Sequence, residues 1–188
     1  PEMVQSDYNP LSIVIGCVDN GAARQAIAKP LDENHPNALP RVWWLDGGNT
    51  RTQGQVLLGC WSSPEASPPL FCTLSQEPSR TTKPVGCINL PGPSIQHPEL
   101  LEPLPEELAD HTLSCEEMLA RNAQSLFINQ RVAVEMAEYL VELLVSQNLR
   151  RFATYFDMEV GSSYSRFTSP LTLNTFITQS EEVVAASS

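Results

Sequence analysis

The sequence is poor in charged residues, and one sign dominates among them. Charged residues make up 18% of the 188 positions, with 22 Asp and Glu against 11 Lys and Arg, so the formal net charge is −11. Binding to nucleic acid or to an anionic membrane surface depends on clustered Lys and Arg. The charge therefore argues against nucleic-acid and membrane partners and favours a neutral or basic protein partner.

Long hydrophobic runs and paired cysteines are also lacking. No segment approaches the roughly 20 consecutive apolar residues of a membrane-spanning helix, and the first residues carry no basic segment followed by an apolar one. No two cysteines form a C-x-x-C pair, and Cys72, Cys87, His97 and His111 match no compact zinc-ligand spacing. We expect a cytoplasmic protein with reduced thiols and without zinc.

The residues that are present divide into three zones without an internal repeat. An α/β zone extends to about residue 61, and a proline-rich, acidic crossover loop covers about 61–113. Helices at 114–148 are then followed by terminal strands at 149–180. Apolar residues make up 41% of the chain, whose mass of 20.7 kDa suits one core. We therefore predict a single α/β domain with a mixed, Rossmann-like sheet.

The first zone has the pattern of a strand–helix–strand unit. A β-branched apolar run at 12–18 predicts a buried strand, and residues 42–45 predict a second strand parallel to it. The helix-prone segment 22–29 connects them and is expected to end at Pro30. Residues 46–49 predict a polar corner with two glycines, and residues 55–60 predict an antiparallel third strand.

The later zones predict helices and two strands. Ser114 and Glu117 match a capping box, which predicts a helix from Cys115. A longer helix at about 125–147 is apolar almost all round, so it is either central to the domain or covered by a partner subunit. Strand-like residues follow at 151–158 and 171–178.

Both predicted parallel strands end in an acid, Asp19 and Asp46. Ligands of open α/β sheets bind outside the carboxyl ends of the strands, so these carboxylates are candidates to share a magnesium ion. The alternative is that either acid caps the following helix or turn. Arg24, one helical turn beyond Asn20, would pair with Asp19 or approach a phosphate, or would face solvent as most helix arginines do.

Cys115 is the thiol with the clearest route to reactivity. A cysteine in the first turn of a helix has its thiolate stabilised by the helix dipole. Glu116 and Glu117 follow it directly and oppose that effect. An inert, packed cysteine is therefore the alternative interpretation.

A family resemblance rests on several segments in a fixed order. The run from Gly16 to Arg24 resembles the segment of ThiF, MoeB and the ubiquitin-activating enzymes in which a strand ends in Asp-Asn before a helix with Arg. Residues 44–49, 54–56, 114–116 and 126–133 resemble later parts of the same enzymes. The amino-acid sequence of these segments is most similar to that of the ThiF-like proteins of the PRTRC cassette of bacterial mobile elements.

The resemblance implies an ATP-dependent enzyme that adenylates the C-terminal carboxylate of a ubiquitin-like or sulfur-carrier protein within a homodimer. It implies that Asp19 holds magnesium at the ATP phosphates, that Asn20, Arg24 and Asp46 belong to the nucleotide site, and that Cys115 takes part in covalent capture of the carrier.

Several elements of the family are missing from the sequence, among them a ribose-binding acid, an arginine finger, a phosphate-binding lysine and the C-x-x-C zinc motifs of many relatives. The glycine-rich nucleotide loop of the family is not visible among the 188 residues. We therefore expect the C-terminal portion of such an adenylating domain, inactive alone. Two other interpretations stay open: a non-catalytic adaptor or dimerisation module, and a Rossmann-like methyltransferase or dehydrogenase.

Overall fold

A five-stranded mixed sheet with helices forms the described part of the protein, which confirms the predicted α/β class. The computed structural model describes residues 12–32, 42–60, 90–103, 126–146, 149–169 and 172. The strands follow the order β1-β2-β3-β4-β5 in the sheet. Their bounds are β1 (Ser12–Gly16), β2 (Val42–Asn49), β3 (Gln53–Gly59), β4 (Arg151–Asp157) and β5 (Ser162–Phe167). The helices are α1 (Gly21–Asp32), α2 (Pro93–Gln96), a 3-10 helix (Pro98–Leu101) and α3 (Leu126–Leu140), which continues into a π-helical turn (Val141–Val145).

The pairing of the first three strands agrees with the sequence. β1 and β2 are parallel, with Gly16 opposite Asp46, and α1 connects them. β3 joins β2 antiparallel, as its short connection predicts. β4 and β5 extend the sheet as further antiparallel strands. The carboxyl end of β1 therefore lies beside the middle of β2.

Three elements differ from the prediction. β1 ends at Gly16 rather than residue 18, and it is only partly buried, with Ile15 exposed to 53%, because it lies at the edge of the described sheet. α1 continues through Pro30 to Asp32, because a proline in the exposed last turn removes only one helical hydrogen bond. β2 continues through the predicted corner at 46–49. Gly47 does not form a turn there: a side chain at this position would collide with Met136 of α3. The absence of a side chain at Gly47 lets Met136 and Val132 of α3 pack directly against the backbone of β2.

The two faces of the sheet carry different helices. Side chains alternate between faces along a strand. Gly47 of β2 faces Met136 of α3, whereas its neighbour Asp46 bonds to Arg24 of α1. On the α3 side, the Tyr139 hydroxyl and Thr154 Oγ1 of β4 are hydrogen bonded at 2.9 Å. The fully enclosed apolar core residues are Leu45, Val56, Leu57, Leu58, Leu90, Ile128, Tyr139, Phe152 and Ala153.

α3 buries one side and exposes apolar residues on the other. The predicted helix is confirmed over most of its length, as α3 and the π-helical turn. Phe127, Val134 and Val145 are exposed to 67%, 61% and 75%. No helix in the described residues is long and apolar enough to cross a membrane.

The C-terminal strands are only partly predicted. β4 agrees with the strand expected at 151–158, but β5 was not predicted. Apart from Thr172, the strand expected at 171–178 lies outside the described residues, as does the helix expected from residue 115. Within the proline-rich loop, residues 90–103 hold two short helices and an isolated bridge at Pro91, in keeping with their prolines.

Candidate functional site

The Asp19-Asn20 corner connects β1 to α1. Asn20 Oδ1 accepts a hydrogen bond from the Ala23 backbone N–H at 2.7 Å, and the Asn20 carbonyl accepts one from Arg24 N–H at 3.3 Å. The first bond satisfies a donor that a helix leaves unpaired in its first turn, and the second is the first regular hydrogen bond of the helix. The cap of α1 is thus Asn20 rather than either of the acids, while the neighbouring Asp19 is exposed.

Arg24 and Asp46 form a buried ion pair between α1 and β2. Arg24 Nε donates to Asp46 Oδ2 at 3.1 Å, and the two residues are 7% and 0% exposed. Arg24 therefore pairs with Asp46 and not with Asp19, and it does not face solvent. The two acids predicted to share a cation are differently placed, since Asp19 is exposed and Asp46 is enclosed with a guanidinium as its counter-charge.

The surroundings of Asp46 are apolar enough to disfavour its charge. Burial raises the pKa of the Asp46 carboxyl, and this effect outweighs the charge and hydrogen bond of Arg24, which lower it. Asp46 Oδ1 and Trp44 Nε1 are both buried without a hydrogen-bond partner. An ideal Cβ on Gly16 would lie 2.8 Å from each of these atoms. Only glycine at position 16 leaves room for both side chains.

Gln55 is a polar residue of this region for which the sequence pattern predicts no role. It lies directly opposite Gly48 in the β2–β3 register, so it faces the same side of the sheet as Arg24. Residues 54–56, Gly-Gln-Val, belong to the family resemblance but predict no binding role for Gln55. Its position beside Arg24 depends on the pairing of β2 with β3, which cannot be predicted from the sequence pattern alone.

Of the two cysteines relevant to the site, the structure describes Cys17 but not Cys115. Cys17 is exposed, and its Sγ lies 3.8 Å from Met136 Sδ. Partial burial, and then the negative charge of Asp46, raise the pKa of the Cys17 thiol, so the thiol form is favoured. Cys115 lies outside the described residues. Among the residues that are described, no group of three or more His, Cys, Asp or Glu side chains is arranged to hold a metal ion.

His97 joins a hydrogen-bonded chain on the sheet. His97 Nδ1 donates to Glu99 Oε1 at 2.6 Å, and His97 Nε2 is hydrogen bonded to the Tyr155 hydroxyl at 2.5 Å. Tyr155 also stacks on Tyr164 with the ring centres 4.8 Å apart. Burial raises the pKa of Tyr155 to about 12, so its phenol is neutral at pH 7. The chain connects the segment after α2 to β4.

Replacing Glu99 with glutamine should reduce the loss of stability in acid. Burial raises the pKa of Glu99, but the hydrogen bond from His97, a backbone hydrogen bond and the His97 charge together hold it below its ordinary value of 4.5. A carboxyl with a lowered folded-state pKa contributes stability that is present above its unfolded-state pKa and lost as the pH falls through the folded-state value. From about pH 6 to about pH 3, the thermal midpoint should fall further in the wild type than in Glu99→Gln. Equal falls would show that Glu99 contributes nothing.

Comparisons with known proteins leave the family unassigned. No protein-family model matches the chain, and no curated protein is detectably similar to it. Any function must therefore be argued from the site itself and from the segments that carry the resemblance.

Proposed function

We propose that this chain is part of an ATP-dependent activating enzyme, with a Rossmann-like fold of the ThiF and MoeB type, that adenylates the C-terminal carboxylate of a ubiquitin-like or sulfur-carrier protein. The observation that carries the proposal is the exposed Asp19 at the carboxyl end of β1, followed by a capped helix and the buried Arg24. Ligands of open α/β sheets bind at this edge.

The residues of the corner suit a magnesium ion held together with nucleotide phosphates. Magnesium is commonly bound by one or two carboxylates plus substrate phosphates and water. Asp19 supplies one exposed carboxylate. When bound, the ion would neutralise phosphate charge. The hydrogen bonds of Asn20 fix the start of α1, and Asp46 fixes Arg24.

Adenylation suits a site of this kind. The carrier carboxylate attacks the α-phosphorus of ATP, a new acyl–phosphate bond forms, and pyrophosphate leaves. This step depends on charge neutralisation and positioning rather than on a protein nucleophile. The nucleotide loop must come from residues beyond these 188 or from a second chain, because no glycine-rich loop is present among them.

Asp19→Ala should abolish carrier-dependent exchange of labelled pyrophosphate into ATP by the full-length protein. We expect a loss of about 10²-fold or more, the scale on which single electrostatic groups act in catalysis. Glu159→Ala, which changes an exposed acid in the turn after β4, is the matched control and should retain exchange. Exchange that persists in Asp19→Ala would remove Asp19 from the site.

For Cys115, the Ser variant should lose a covalent carrier adduct but keep exchange.

A non-catalytic adaptor or dimerisation module is the second candidate, favoured by the outer side of α3. Phe127, Val134 and Val141 recur every seven residues and are all exposed, and Val145 extends the row. An apolar row of this kind is typical of a helix that docks against another protein. In this case the full-length protein would bind its partner but would show no exchange even without a substitution.

A further inference from the structure

Two N–H donors converge above Gly48 on the α1 side of the sheet. The ideal Cβ position of Gly48 is 3.0 Å from Arg24 Nη2 and 3.5 Å from Gln55 Nε2. One donor comes from helix α1 and the other from strand β3, so the convergence results from the tertiary fold. Because Gly48 has no side chain, a ligand atom can approach the β2 backbone at this point.

Arg24 is held in a fixed position at this point. Its guanidinium is almost fully buried, and Nε is bonded to Asp46 Oδ2 at 3.1 Å. A guanidinium presents its N–H groups in a rigid fork, so fixing one edge also fixes the direction of the other. Gly48 and Gln55 are only half-buried. The point is therefore open to solvent, while one of its donors is preorganised.

The charges favour one class of ligand. An oxygen near this point would accept hydrogen bonds from both donors. The Arg24–Asp46 pair is close to neutral as a unit, which suits a singly charged group better than a multiply charged phosphate. A carboxylate has two oxygens in one plane and is matched by a pair of N–H donors.

We propose that Arg24 and Gln55 form a subsite for the C-terminal carboxylate of an extended peptide, with Gly48 as its floor. The inference rests on the proposed function, in which such a carboxylate is the substrate, and it places that carboxylate beside the Asp19 corner. Gln55 is then a substrate-binding residue, and Asp46 is a positioning residue that acts through Arg24.

The experiment compares two dipeptides that differ only at the C-terminus. Glycylglycine and glycylglycine amide are titrated separately into the full-length ¹⁵N-labelled protein, and the NMR signals of the Gly48 backbone amide and the Gln55 side-chain amide are followed. The free acid should bind at least about tenfold more tightly than the amide, because the charge-assisted hydrogen bonds need an anionic oxygen. Equal binding of the two dipeptides would overturn the subsite.

Variants locate the binding. Gly48→Ala places a methyl group at the point itself and should weaken glycylglycine binding by about tenfold or more. Gln55→Leu should weaken binding too, whereas Gln53→Leu, two residues earlier on the same strand, should leave it unchanged. Unchanged binding in Gly48→Ala and Gln55→Leu would overturn the subsite. Inorganic phosphate is titrated in parallel, and tighter binding of phosphate than of glycylglycine would overturn the carboxylate assignment.

The outcomes separate this inference from the proposed function. If glycylglycine binds as expected but pyrophosphate exchange is absent, the subsite stands and the adenylation proposal fails. If exchange occurs but the acid and amide bind equally, adenylation stands and the carboxylate lies elsewhere.

Discussion

Replacing Asp46 with alanine should lower the free energy of unfolding by about 3–5 kcal/mol, the usual cost of removing one partner from a buried ion pair. The substitution leaves the guanidinium of Arg24 buried without its carboxylate, because Asp46 is the acid that Arg24 contacts. Chemical denaturation followed by circular dichroism gives the free-energy difference. A fold held mainly by other contacts would show a much smaller loss.

A double substitution shows which part of this loss comes from the unpaired charge. Arg24→Leu with Asp46→Leu should be less destabilising than Asp46→Ala alone, since replacing both partners by apolar groups leaves no buried charge. Glu138→Ala is the control, because Glu138 pairs with Arg151 at an exposed position. It should cost less than about 1 kcal/mol. A cost for Asp46→Ala as small as that of the control would contradict the buried pair.

Gly59→Ala should destabilise the protein by about 3 kcal/mol, the upper end of the usual range for overpacking. A Cβ at this position would collide with the Pro91 carbonyl oxygen and lie 2.5 Å from the Pro91 carbonyl carbon. Backbone atoms cannot rotate away as a side chain can. The same segment is also tied to the sheet by the hydrogen bond from Cys60 N–H to the Leu90 carbonyl at 3.0 Å.

Gly48→Ala is the matched control for Gly59→Ala in the same denaturation experiment. The nearest atom to a Cβ at Gly48 is the end of the Arg24 side chain, at 3.0 Å. A shift of a few tenths of an ångström at the Nη2 end of Arg24 relieves this contact while Nε stays bonded to Asp46, so the expected cost is below about 1 kcal/mol. If both variants lose the same stability, the segment around Pro91 yields more easily than its contacts indicate.

The sequence predicts those elements whose pattern is local. The apolar, β-branched run before Gly16 predicts β1, and the long apolar segment after Leu126 predicts α3. β5 is not predicted, because Ser162–Phe167 shows no apolar alternation and is largely exposed. This segment is a strand because it pairs with β4. A local sequence pattern does not predict an element whose structure depends on pairing with another strand.

The candidate site shows the same limit. Asp19, Asn20 and Arg24 could be singled out because they follow a predicted strand end. The Arg24–Asp46 pair could not be predicted, because it depends on the register that places Gly16 opposite Asp46. The full length of β2 could not be predicted either, since Gly47-Gly48 is typical of a turn. The contact of Gly47 with Met136 explains why a glycine stands inside this strand. Gln55 gains its role only through the pairing of β3 with β2.

The position of Trp44 gives the site an optical reporter of its own. Its indole nitrogen and Asp46 Oδ1 both lie 2.8 Å from the Cβ position of Gly16, and the indole is enclosed. An indole shielded from water emits at short wavelength, and a carboxylate beside it alters the local field. In a variant that keeps Trp44 but has phenylalanine in place of Trp43 and Trp61, we therefore expect the tryptophan emission to change with the charge state of Asp46.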